Sequence, residues 1–167
     1  MGVPVHATEL VASLDHAGGT SAQGALPVGL ADVIELIESD HREVESLFAQ
    51  FTQAGSKQLA MQICEELDAH ASAEEQVFYP VVRDEVPEGR NLADEGEEEH
   101  GKARQLIGRI KNTADESHLA ELVNELEQAV SHHVQEEESE MLPKTRAALD
   151  DGRRSDLGNE FQAAKSG

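Results

Sequence analysis

The sequence predicts an all-α protein: an up-down-up-down antiparallel four-helix bundle with a flexible N-terminal leader and a short C-terminal tail. Three observations carry that expectation. Apolar residues recur at helical spacing through most of residues 30–149. Short turn and capping signals separate the periodic stretches, and short connections make neighbours antiparallel. No stretch shows the apolar–polar alternation of a half-buried strand.

Residues 1–28 are rich in Gly, Ala, Ser and Pro and read as the leader, with solvated His6 and His16. The bundle is expected over 29–151. Its first helix spans roughly 30 to 54, on a seam of Val33, Ile37, Val44, Phe48 and Phe51. Gly55 closes it and Ser56 caps the next. The second runs roughly 57 to 85 on Leu59, Ile63, Leu67, Val77 and Val81. "VPEGRN" reads as a turn with Asn91 as N-cap, opening a third helix over roughly 92–112. "TADE", Thr113–Glu116, reads as a capping box for a fourth helix, roughly 114–149, on Leu119, Val123, Leu126, Val130 and Met141. Asp151-Gly152 is read as its end. The tail, 152–167, has room for one short helix around Asp156–Ala163.

A formal net charge of −21 argues against sequence-independent nucleic-acid binding, which needs Lys and Arg against phosphate. It describes a self-repelling surface and leaves carboxylates to spare for cations. The lone Cys64 excludes an intrachain disulfide and a thiolate metal cage, and reads as a small apolar core residue. There is no signal-peptide pattern and no apolar run near the ~18 residues of a membrane span, so a cytoplasmic protein is expected.

The seams are interrupted by polar residues. His41, His70, His100 and His133 each fall on the apolar stripe of a different helix, and Glu74 and Glu137 follow one turn after His70 and His133. Residues i and i+4 share a helix face, so each His-x3-Glu pair points inward together. Buried carboxylates and imidazoles are costly unless paired or metal-bound. One such histidine is an ordinary core residue, but four in register with two glutamates call for a metal centre. The halves also look duplicated. "DHREVESL" and "EHGKARQL" each set an acid before a histidine, and "HASAEEQVFYP" and "HVQEEESEMLP" share His, Glu-Glu and Pro at the same spacing. Pro80 and Pro143 are expected to kink their helices beyond the ligands.

The set H…HxxxE…H…HxxxE, met by His41, His70/Glu74, His100 and His133/Glu137, resembles hemerythrin-like proteins of the HHE cation-binding type over about residues 30–149. The resemblance implies two iron ions with an oxo or hydroxo bridge, bridged by both glutamates and capped by the histidines. Imidazole–carboxylate ligation suits manganese or zinc as lesser alternatives. A ferritin-like carboxylate centre is the rival, since Glu38-x-x-His41 and Glu97-x-x-His100 also occur, but it uses fewer inward histidines. Oxygen-carrying hemerythrins resemble this pattern but have a further histidine where this chain has Arg104. Glu45, four after His41, is a candidate to fill the gap. Glu75, Glu138, His118 and His132 read as surface residues and Tyr79 as packing.

The functional expectation is a protein that binds or reacts with dioxygen, hydrogen peroxide or a similar small oxidant, with catalase-like or peroxidase-like activity open. An oxygen or iron sensor, carrier or storage protein without turnover is the alternative. No nucleic-acid or membrane partner is expected.

Overall fold

The computed structural model describes residues 31–167, so the expected leader lies outside the described residues. The described chain is all-helical. Its elements are α1 (Val33–Ala54), α2 (Lys57–Ala73), a π turn (Glu74–Phe78), α3 (Tyr79–Glu85), α4 (Gly89–Asn112), α5 (Glu116–Glu136), a second π turn (Glu137–Met141), α6 (Leu142–Ala148) and α7 (Asp151–Lys165). Each π turn joins its flanking helices end to end, so the elements form five rods among the described residues. The fifth rod is α7, where the sequence left room for one short helix: it is 15 residues long and packs on the other rods, so the helical body has five rods and not four with a tail.

Local chemistry sets most boundaries. Asp32 accepts from the Ile34 amide and starts α1, and Gly55, at φ 60°, closes it. Ser56 caps α2 by accepting from Leu59. α4 begins earlier than expected, at Gly89, after Glu88 in the left-handed region at φ 61°. Gly89 fits there because a Cβ would lie 1.8 Å from the Val82 carbonyl oxygen. The cap of α5 is Asp115, which accepts from Ser117 and His118, while Thr113 ends α4. Asp151-Gly152 does not end the helical chain: Asp150 caps a fresh helix of 15 residues.

Consecutive rods run in opposite directions, as the pairings Asp40–His70, Arg83–Asp94 and Arg109–Glu125 require. α7 lies along α1 in the same direction, from Arg154 on Asp32 to Lys165 on Asp40. Two apolar clusters fill the interior. One gathers Val44, Phe48, Ile63, Leu67, Ile107 and Leu126, and the other Ile34, Ile37, Phe78, Tyr79, Leu142, Leu157 and Phe161. The seam histidines and glutamates lie along the helices between them. Among the described residues no helix is long and apolar enough to cross a membrane.

Candidate metal centre

Each of the four histidines reaches the interior from its own rod. α1 carries His41, α2 His70, α4 His100 and α5 His133, all buried on the apolar stripe. Glu74 and Glu137 open the two π turns and are 0 % and 2 % exposed. A proline lies six residues after each glutamate. Proline lacks an N–H and clashes with the carbonyl four back, and the wider turn, closed by Tyr79 N–H to Glu74 O and Leu142 N–H to Glu137 O, accommodates it.

The carboxylates meet the imidazoles across the core. Glu74 sets one oxygen 3.1 Å from His70 Nε2 and the other 3.2 Å from His100 Nε2. Glu137 Oε2 is 3.3 Å from His41 Nε2 and 3.5 Å from His133 Nε2. Two buried ligand groups result: His41, His70, Glu74 and Glu137, and Glu74, His100 and His133. All six candidates of the repeated motif are therefore brought together. Glu45 stands outside, 51 % exposed and paired with Arg42. Glu38 and Glu97 belong to neither group, and Glu97 pairs with Arg83, so the ferritin-like pattern is not assembled.

Sequence reasoning passed over an outer ring. Each histidine donates its Nδ1–H to a carboxylate from another rod: His41 to Glu138 at 2.9 Å, His70 to Asp40 at 3.0 Å, His100 to Glu75 at 2.9 Å and His133 to Glu99 at 2.8 Å. That hydrogen bond fixes the ring and aims Nε2 inward. Each carboxylate in turn meets a basic side chain: Glu138 meets Arg42, Asp40 Lys165, Glu75 Arg104 and Glu99 His132. Glu75 and Glu138 are thus not simply solvated, although His132 and His118 are exposed as expected. The signal was present in the sequence. Every outer carboxylate is the neighbour of an inner residue, in Asp40-His41, Glu99-His100, Glu74-Glu75 and Glu137-Glu138.

Tyr79 also does more than pack. Its hydroxyl donates to Glu137 Oε1 at 2.9 Å, and its ring stacks on His100 at 5.4 Å between centroids. Gly96 makes room, since a Cβ there would come within 2.5 Å of that hydroxyl.

The electrostatics follow from the packing. Burial opposes a charged His70, but Glu74 and the bond to Asp40 outweigh it and carry the imidazole up to about 10. Burial, Glu137 and Glu99 act in the same way on His133 and bring it to about 9. Glu74 is held well below the carboxylate range by His70 and His100 despite its burial. Burial next to Glu137 and Glu74 drives the Tyr79 phenol well above its usual value.

The donor set fits a bound cation. His41 Nε2, His70 Nε2, both oxygens of Glu74 and Glu137 Oε2 are buried and make no well-formed hydrogen bond, meeting only one another and the other imidazoles at 3.1–3.5 Å. Buried polar atoms are almost always well hydrogen-bonded, so ligand atoms left facing one another in two adjoining groups that share Glu74 mark a place for cations. Above this floor lies a cavity of about 30 Å³, walled by Val44, Leu67, Ala71, Ala103, Ile107 and Val130.

This class of site, buried histidines and glutamates on packed helices, is that of a helical metal-binding protein. The family model of the Hemerythrin HHE cation binding domain matches residues 32–145, and the chain belongs to that family. It is 32% identical over 140 residues to a DNA nickase of Nostoc sp. (strain PCC 7120), covering 81% of this chain and 39% of the nickase. It is 24% identical over 139 residues to an uncharacterised hemerythrin-like protein of Schizosaccharomyces pombe (strain 972), covering 80% of this chain and 68% of that protein. The chain thus spans about two fifths of the first relative's length. No solved structure matches it significantly.

Proposed function

We propose that the protein holds two iron ions in a hemerythrin-like helical core and binds or reacts with dioxygen, hydrogen peroxide or a similar small oxidant. The observation that carries this reading is the set of five buried ligand atoms on His41, His70, Glu74 and Glu137 that face other ligand groups without a well-formed hydrogen bond. His41 and His70 would serve one position and His100 and His133 the other, with Glu74 and Glu137 between them. When bound, such a pair supplies Lewis-acid and one-electron chemistry in a water-poor site.

The chain's own residues do the rest. The four Nδ1 hydrogen bonds hold the imidazoles inward, with Nε2 directed at the place a cation would take. The walls are mostly aliphatic, with Asp68 and Arg104 at the edge, and a cavity of about 30 Å³ admits one water-sized molecule, which favours diatomics and peroxide over larger substrates. Arg104, standing where oxygen carriers have a histidine, turns out to Glu75 and lines the same cavity. The His100–His133 position therefore has one imidazole fewer than a carrier offers, which leaves more room for an incoming oxidant. The alternative is carriage, sensing or storage without turnover. A net charge of −21 opposes phosphate binding and so speaks against the nickase relative's action on DNA for this chain.

Metal analysis and a visible spectrum of the aerobically purified protein test the proposal. Two irons per chain with a near-ultraviolet charge-transfer band are expected, and less than one iron without that band defeats it. Adding peroxide then separates catalysis from carriage: no oxygen release above that of free iron removes the catalase-like version.

A further inference from the structure

We propose that α7 is a working part of the metal centre: Lys165 and Phe161 hold Asp40 and His70 in place and so set the metal affinity of the His41–His70 position. The inference rests on the metal reading above. α7 lies beyond residues 32–145, the segment the family model matches.

The contacts form a line from α7 to the inner ligand atoms. Lys165 Nζ donates to Asp40 Oδ1 at 2.8 Å, and Asp40 Oδ2 accepts from His70 Nδ1 at 3.0 Å. Phe161, 1 % exposed, sets its ring edge-on to His70 at 6.0 Å. His70 Nε2, at the end of that line, is one of the buried atoms without a well-formed hydrogen bond. The other three outer carboxylates take their basic partners from α1, α4 and α5, namely Arg42, Arg104 and His132. Among the described residues, only the Asp40 quarter takes its basic partner from α7. The docking is close: a Cβ on Gly158 would lie 1.8 Å from the Ala31 carbonyl oxygen, so a glycine is needed where α7 crosses the start of α1. Arg154 clamps the same end through Asp32 and the Leu149 carbonyl. Lys165 is a positioning residue in this scheme, because it acts on the ligand only through Asp40.

Anaerobic titration of metal-free full-length protein with ferrous iron against a chelator provides the test. Wild type is expected to take two ions. Replacing a group bonded directly to a ligand typically costs ten- to a hundredfold in affinity, and Lys165 stands one contact further out, so Lys165→Met is expected to weaken one of the two by up to about tenfold. Lys165→Arg restores it, and Arg104→Met weakens the other ion instead. Lys165→Met should also cost affinity in a His133→Ala background and nothing in a His41→Ala background. Metal-free Lys165→Met is expected to melt only slightly below wild type, and a merely structural role of the pair would not confine the loss of affinity to one of the two ions. Gly158→Ala, which forces α7 off α1, reproduces the selective loss. Unchanged binding in both Lys165→Met and Gly158→Ala, or equal loss at both positions, overturns the inference while the metal reading stands. A wild-type chain that takes up no iron overturns the metal reading and this inference with it.

Discussion

Glu74 faces both halves of the centre, with one oxygen toward His70 and the other toward His100. Glu74→Gln is therefore expected to remove metal from both positions, whereas His70→Ala removes it mainly from one. Metal analysis of the two purified variants distinguishes them, and a fully loaded Glu74→Gln protein would sink the bridging role. The histidines also give the metal-free protein a definite pH response. Folding raises His70 from 6.5 to about 10 and His133 from 6.5 to about 9. A raised folded value contributes stability that is complete below about pH 6.5 and lost as pH climbs through 9 to 10. The melting temperature of metal-free protein should therefore fall across that window. Metal uptake near neutral pH should release protons, visible as a buffer-dependent heat in calorimetry; a melting temperature rising over the window would contradict the assignment. Tyr79→Phe leaves Glu137 Oε1 without its donor and should cost the metal-free protein about 1–3 kcal/mol, read from denaturant unfolding.

At the scale of elements, the two π turns decide what the helices present. With i→i+5 bonding the chain returns to the same face after five residues rather than four. Tyr79, five after Glu74, is thereby brought to the centre, where α-helical spacing puts it well off Glu74's face. The proline after each turn and the duplicated motif were legible in the sequence, but the widening was not, because it settles a backbone conflict that apolar periodicity does not record. The start of α4 was misplaced for a related reason. Glu88 adopts the left-handed region because Gly89 must pass against Val82, a contact between two rods. Gly89→Ala is expected to destabilise the fold by about 1–3 kcal/mol as that contact opens. Unchanged thermal unfolding would show that the approach is looser than its 1.8 Å clearance implies.

For the whole molecule, metal and fold should be one equilibrium. The layer of four histidines and two glutamates interrupts the apolar core, and a cation binding only the native arrangement stabilises it. Chelation should lower the melting temperature substantially, and restoring ferrous iron should recover it. The same unfolding curve with and without metal would place the ions outside the core. The sequence by itself determined the helical class, the six inner residues and their duplication, because each rests on spacing along one helix, which is a local property. Only the tertiary structure decided the outer ring, the place of Tyr79 and the docking of α7. Those depend on which rods lie side by side, and side chains such as Asp40 and His70, or Lys165 and Asp40, meet only after the chain has packed.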